Sequence, residues 1–309
     1  MCIRDSPIFA RVEREKRDHH PEADQIDENG EKKDEERGPL HVRAECNAEG
    51  RAERGRAQSA DICFGSLRSA HCALRSVLCA LMRKLVLFDI DGTLITDNGA
   101  ARHSYGLALR ETYGYDGDLA RYDFSGRTDP QITSMVLHDA GFNDEQIAAQ
   151  AAQLWEAYLR ELAIHATPER VHVLPGIREI LDRLAALAHI TLGLLTGNIE
   201  RGARLKLAPA GLNRYFPFGA FGSDSALREE LPPIAVERAS KVDGHRFHGR
   251  EVVIIGDSIY DVRCGVPHDA TTIAVASGKT PADKLRAENP HHLFHSAEEI
   301  EPLLSAITW

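Results

Sequence analysis

No stretch of this 309-residue chain approaches the ~18 consecutive apolar residues that a membrane-spanning helix needs. The opening MCIRDSPIFARVEREKRD has no apolar core, so no secretory leader is expected. Positive charge is also in short supply. Lys and Arg number 37 against 47 Asp and Glu, a formal net charge of -10. That balance excludes binding that works by neutralising a phosphate backbone, and it excludes a polybasic membrane anchor. Neither nucleic acid nor a membrane is expected as a partner. Cysteine is scarce after residue 81, where Cys264 stands alone; Cys2, Cys46, Cys63, Cys72 and Cys79 all precede it. No CxxC pair offers zinc-ligand spacing, and a lone cysteine builds no disulfide framework. The expected setting is the reducing cytoplasm.

Residues 1–81 lack helix or strand periodicity over most of their length and carry charged stretches such as ENGEKKDEERG. They read as a disordered or non-native N-terminal extension. MCIRDS resembles a translated library adapter, and Met82, just before RKLVLFDIDGTL, reads as a natural start. A weakly apolar helix is expected at Leu67–Leu81, interrupted by Arg68 and Arg75. No motif there suggests a function.

From Met82 onward the pattern changes. KLVLF (84–88), ITLGLL (190–195), EVVII (251–255) and TTIAVA (271–276) are short apolar runs, and each ends in polar residues. Near-continuous apolar runs of this length are what parallel strands buried on both faces look like. Helical spacing separates them, as at Ile177, Ile180, Leu181 and Leu184. The alternation predicts a doubly wound parallel α/β sheet. Its core should comprise residues 82–96 and 169–309. Residues 97–168 break the alternation with two long helical stretches, 101–114 and 144–166, and are expected to form an inserted α-helical cap. Ligands of open parallel sheets bind beyond the carboxyl ends of the strands. Asp89, Asp91, Thr196 and Asp257 should therefore converge on one crevice.

DIDGTL (89–94), LLTGN (194–198) and GDSIYD (256–261), in that order and each after an apolar strand, resemble three of the four signature motifs of the haloacid dehalogenase superfamily. The insert resembles the helical cap of the phosphoglycolate phosphatase and β-phosphoglucomutase branch. The resemblance implies a Rossmann-like core and a metal-dependent hydrolase acting on a small phosphorylated metabolite. The residue chemistry agrees. Phosphate monoesters hydrolyse so slowly that a covalent route through an Asp nucleophile is useful. Asp89, the first polar group at its strand end, suits that role. Asp91 could protonate the leaving group and then activate water, and extended-chain alternation puts both on one side. Crowded carboxylates beside a phosphate call for a hard cation, and oxygen ligands select Mg2+. Asp89 and Asp257 are the expected side-chain ligands. Asp261 binds or orients the metal, and the resemblance adds the Asp91 backbone carbonyl. Thr196, with the amides of Gly197 and Asn198, is expected to bind phosphate oxygens.

Plainer readings compete. Asp89 and Asp91 could be a solvated strand end before a DG turn, and Asp261 could cap a helix. The superfamily often shows a Lys-Pro pair as its third motif, and this chain has none. Arg228, ahead of Pro232-Pro233, is the nearest equivalent, with Lys241 as the alternative. Ser125–Asp129 resembles a substrate-specificity loop, in which Arg127 either clamps an anionic group or sits on a surface turn. His103, His138, His291, His292 and His295 are expected at the surface, and Cys264 in packing. A phosphatase is the leading expectation, with a phosphosugar mutase of the β-phosphoglucomutase type as the alternative. Asp91 argues against a dehalogenase, and the intact acidic set argues against a non-catalytic regulator. The chain is expected to act as a monomer or a homodimer.

Overall fold

The structure is a computed structural model and describes residues 83–309. The expectations for residues 1–81 lie outside the described residues. The first strand, β1 (Lys84–Phe88), is buried along its whole length. Alternation sends Leu85 and Leu87 into one layer, where they join Leu231, Ala235 and Ala239. On the other face Phe88 meets the Phe216 ring edge-on, with centroids 6.0 Å apart.

A short ribbon leads out of this core and back. In it β2 (Ile95–Thr96) pairs antiparallel with β3 (His172–Val173). Between them lie α1 (Ala100–Tyr113), α2 (Asp129–Asp139) and α3 (Asp144–His165). The last two begin with reciprocal capping boxes, Thr128 with Gln131 and Asn143 with Gln146, which satisfy first-turn amides. Helices α1 and α3 are held together by aromatic groups. The Tyr105 and Tyr158 rings meet at right angles 5.7 Å apart, and Tyr113 donates its hydroxyl to the Ile147 carbonyl at 2.7 Å.

The remaining elements alternate. They are α4 (Ile177–Ala185), β4 (Ile190–Thr196), α5 (Glu200–Leu207), β5 (Gly219–Phe221) and α6 (Leu231–Asp243). Then follow β6 (Val252–Gly256), α7 (Ile259–Gly265), β7 (Thr271–Val275), α8 (Ala282–Ala287), β8 (His292–Phe294) and α9 (Ile300–Thr308). Six strands form one parallel sheet in the order β5-β4-β1-β6-β7-β8. The fold is the doubly wound parallel α/β sheet with a helical insertion after its first strand. The chain runs to one side of β1 through β4 and β5, then returns on the other side at β6. This reversal opens a crevice at the carboxyl end of β1. Among the described residues no helix is long and apolar enough to cross a membrane.

Replacing Phe88 removes a fully buried ring from the central strand. Phe88→Ala is expected to lower stability by about 3–5 kcal/mol, read as a lower denaturant midpoint at unchanged slope.

Candidate active site

The carboxyl ends of β1, β4 and β6 open into one cavity of about 480 Å³, walled on the other side by the helical insertion. Asp89, Asp91, Thr196 and Asp257 line it, as do Tyr105, Phe124 and Tyr158 from the insertion. Asp89 follows β1 directly and is buried, its amide donating to the Ile255 carbonyl of β6 at 3.0 Å. Asp257 follows β6 and is buried as well. Asp261 lies in the first turn of α7, where Ser258 is the N-cap. The Ser258 amide and hydroxyl donate to Asp261 Oδ2 at 3.0 and 2.6 Å. Asp261 is therefore not the N-cap itself: Ser258 is, and Asp261 closes the capping box from the third helical position with Oδ2, while its Oδ1 accepts from Arg228.

Carboxylate oxygens of Asp89, Asp257 and Asp261 lie within 4.8 Å of one another. Burial pushes the Asp89 carboxyl up; Arg228 pulls it back, Asp261 and Asp91 push it further, and it stands at about 6. Burial pushes Asp257 well above the usual carboxylate range, with Asp89 and Asp261 adding to the shift. Three buried carboxylates are faced by one guanidinium, so the cluster is short of positive charge. Hard oxygen donors lacking a counter-charge fit a divalent cation. The surrounding backbone leaves room for the Asp257 side chain. A Cβ at Gly278 would lie 1.6 Å from Asp257 Oδ2, so no other residue fits there with this rotamer in place.

Arg228, buried just before α6, supplies the guanidinium. Its Nη2 lies 3.1 Å from Asp89 Oδ1, donates to Asp261 Oδ1 and reaches the Leu195 carbonyl at 3.3 Å. Its Nη1 donates to the Gly126 carbonyl of the insertion at 3.1 Å. Lys241, the alternative cation, is corrected by the structure. It is exposed on α6 and pairs with Glu237 at 2.7 Å, one helical turn away.

Asp91 is half-buried at the cavity wall. Lys206 Nζ reaches its Oδ2 at 2.7 Å, and Asn198 Nδ2 reaches the same oxygen at 2.8 Å. Burial pushes Asp91 up, but the Lys206 charge and these hydrogen bonds outweigh it and hold the carboxyl below its ordinary value. Thr196 is fully buried at the end of β4, and its Oγ1 accepts from Asn198 Nδ2 at 2.9 Å. Asn198 therefore holds Asp91 and Thr196 together.

Lys206 was not legible as a site residue. It lies on α5 among Gly202, Ala203 and Leu207, the buried face of that helix. A lysine on a face of small and apolar residues is the one signal available, and it does not name a partner.

Ser125–Asp129 is fastened to the core. Thr128 Oγ1 donates to the Ala226 carbonyl at 2.7 Å, and the Asp129 amide donates to the Gly197 carbonyl at 2.8 Å. The Ile199 amide, before α5, donates to Asp129 Oδ2 at 2.8 Å. A Cβ at Gly197 would stand 2.1 Å from the Arg127 carbonyl oxygen, so glycine permits the approach. Arg127 lines the cavity with its guanidinium carbon 5.3 Å from the Tyr260 ring centroid. The Ser277-Gly278-Lys279 loop lies across the same opening, with Ser277 Oγ donating to the Gly92 carbonyl at 2.7 Å. The histidines lie elsewhere. His291 accepts the Thr272 amide at 3.0 Å, and His138 pairs with Asp144. Cys264 is buried beside Leu85 and Ile254 in the core.

Known proteins resemble the chain over the same region. The chain is 30% identical over 213 residues to a phosphoglycolate phosphatase of Chromobacterium violaceum, which covers 66% of this chain and 90% of that protein. It is 27% identical over 221 residues to a 5'-nucleotidase of Pseudomonas aeruginosa, covering 69% and 91%. A solved structure described as a predicted phosphatase from Clostridium acetobutylicum superimposes with a TM-score of 0.57. At 19% identity it covers 72% of this chain and 99% of that one, and it speaks for the fold. A HAD-hydrolase-like family model matches residues 231–300. The haloacid dehalogenase-like hydrolase model matches residues 86–265, from within β1 to the end of α7, and the chain belongs to that family.

Proposed function

We propose that the protein is a Mg2+-dependent phosphatase that hydrolyses a small phosphorylated metabolite through an aspartyl-phosphate. One observation carries this reading. Asp89 is buried at the end of the central strand with a guanidinium 3.1 Å away, and a second aspartate two residues on is held at the cavity wall by Lys206 and Asn198. Two carboxylates in such different surroundings suit two different roles. The relatives named above as phosphatase and nucleotidase act on phosphate esters, which supports the reaction class.

In the first step an Asp89 oxygen attacks phosphorus and the bond from phosphorus to the ester oxygen breaks. The departing alkoxide takes a proton from Asp91, which enters this step protonated: the negative charge of the bound phosphate opposes the pull of Lys206 that keeps the carboxyl ionised in the free protein, and the proton is taken up from water as substrate binds. In the second step Asp91, now a carboxylate, takes a proton from water as the water oxygen attacks phosphorus. Inorganic phosphate leaves and Asp89 is regenerated. Arg228 stabilises the charge on Asp89 and on the transferring group. Thr196, with the Gly197 and Asn198 amides, is assigned to the phosphate oxygens. Asp89, Asp257, Asp261 and the Asp91 carbonyl would hold Mg2+, which supplies charge neutralisation for the phosphate when bound. Arg127, on the fastened loop, is assigned to the part of the substrate beyond the phosphate. A cytoplasmic setting is part of this proposal, since small phosphorylated metabolites are the expected substrates.

Phosphate release from p-nitrophenyl phosphate tests the reading. Release should require Mg2+, stop with EDTA and fall to background in Asp89→Asn. Asp91→Asn should lose about 10²–10⁴-fold, the usual share of a proton-transfer group. Folded wild-type protein that releases no phosphate would sink the phosphatase. A strict need for a sugar bisphosphate would move the assignment to a mutase. Gly278→Ala forces the Asp257 carboxylate aside and should raise the Mg2+ concentration for half-maximal rate by about 10–100-fold, read from a Mg2+ titration of the rate.

A further inference from the structure

Lys206 is among the most deeply buried cations described, with its residue only 4% exposed. Taking an ammonium out of water costs several kcal/mol unless its partners compensate. A leucine at this place on α5 would avoid that cost, as Leu207 does beside it. The groups around Lys206 come from several elements. Asp91 lies within the DIDGTL segment and Asp97 just beyond it, Asp129 opens α2 and Tyr158 projects from α3. Nζ makes two short contacts, to Asp91 Oδ2 at 2.7 Å and to Asn198 Oδ1 at 2.6 Å. Asn198 then returns its Nδ2 to Asp91 Oδ2 at 2.8 Å. The three side chains close a ring in which both donors converge on a single oxygen of Asp91.

We propose that Lys206 is a positioning residue for Asp91, with Asn198 as its relay. It fixes Oδ2 as an acceptor, so that Oδ1 is the oxygen that gives and takes the proton in the cavity. This rests on the acid and base role assigned to Asp91 above. The ring sets the Asp91 rotamer before substrate arrives and occupies Oδ2, which leaves Oδ1 to face the leaving oxygen when the proton is passed. Lys206 itself has two of its three N–H groups committed to this ring, so its task is to hold Asp91 and not to carry the substrate. The arrangement crosses the fold. Asp91 follows β1, Asn198 follows β4 and Lys206 ends α5, so the geometry of the acid depends on the packing of three elements.

The dependence of kcat/KM on the leaving group tests this. The acid matters most when the departing oxygen is basic. Phenyl phosphate, whose phenol has a pKa of about 10, needs the proton, whereas 2,4-dinitrophenyl phosphate releases a weakly basic phenolate and does not. Lys206→Met should lose about tenfold or more on phenyl phosphate, and less than about threefold on the dinitrophenyl ester. Asp91→Asn should show the same tilt, only larger. Lys206→Gln, which keeps an N–H donor of similar length, should fall between Lys206→Met and wild type and stands in if the Met variant does not fold. Equal losses on both esters in folded variants would overturn the proposal and leave Lys206 a structural or substrate-holding cation. Wild-type enzyme that hydrolyses neither ester would instead remove the phosphatase reading on which the proposal rests.

Discussion

Everything in this site follows from gathering negative charge at the end of one buried strand. Asp89, Asp257 and Asp261 place carboxylate oxygens within 4.8 Å of one another, out of bulk water. Like charges so close repel strongly in a low dielectric. The fold answers with Arg228, which spans Asp89 and Asp261, and the cluster that remains short of positive charge is one that could hold a metal ion. The burial that makes the cluster costly also makes it useful. A nucleophile and a phosphate that meet in a dry, pre-charged site need little reorganisation when the reaction begins.

The same guanidinium links two parts of the molecule. Arg228 holds the candidate nucleophile with one nitrogen and the Gly126 carbonyl of the insertion with the other. The segment after Gly126 is tied down again at Ala226, Gly197 and Ile199. The insertion side of the cavity is therefore tied to the guanidinium that also faces Asp89 on its floor.

Much of this was readable from the sequence, and the physical reason is local. Strands buried on both faces must be apolar throughout, so the first polar residue after KLVLF or EVVII marks a strand end, and strand ends of a parallel sheet are where ligands bind. Asp89, Asp91, Thr196 and Asp257 were legible for that reason. Helical periodicity likewise foretold the helices at Ala100–Tyr113 and Asp144–His165. The ribbon of Ile95–Thr96 with His172–Val173 and the edge strand His292–Phe294 were not foreseen, because two or three residues show no period. Lys206 escaped for a different reason. Its partner Asp91 lies 115 positions away, and only the packing of α5 against the β4 loop joins them. Choosing between Arg228 and Lys241 also needed the fold. Arg228 precedes α6 and Lys241 lies near its end, but one turns to Asp89 and Asp261 and the other to solvent.

The account centres on Asp89 as the group that becomes phosphorylated, and that bond can be sought directly. Asp91→Asn lacks the base for the second step, and with 2,4-dinitrophenyl phosphate, whose leaving group needs no acid in the first step, it should accumulate the phosphorylated chain. Rapid acid quench of this variant with Mg2+ and that ester, followed by peptide mapping by mass spectrometry, should find one phosphate on the peptide containing Asp89. The label should be absent when Asp89→Asn is added. Turnover by the wild type with no phosphate on that peptide, or with the label on another residue, would contradict the account.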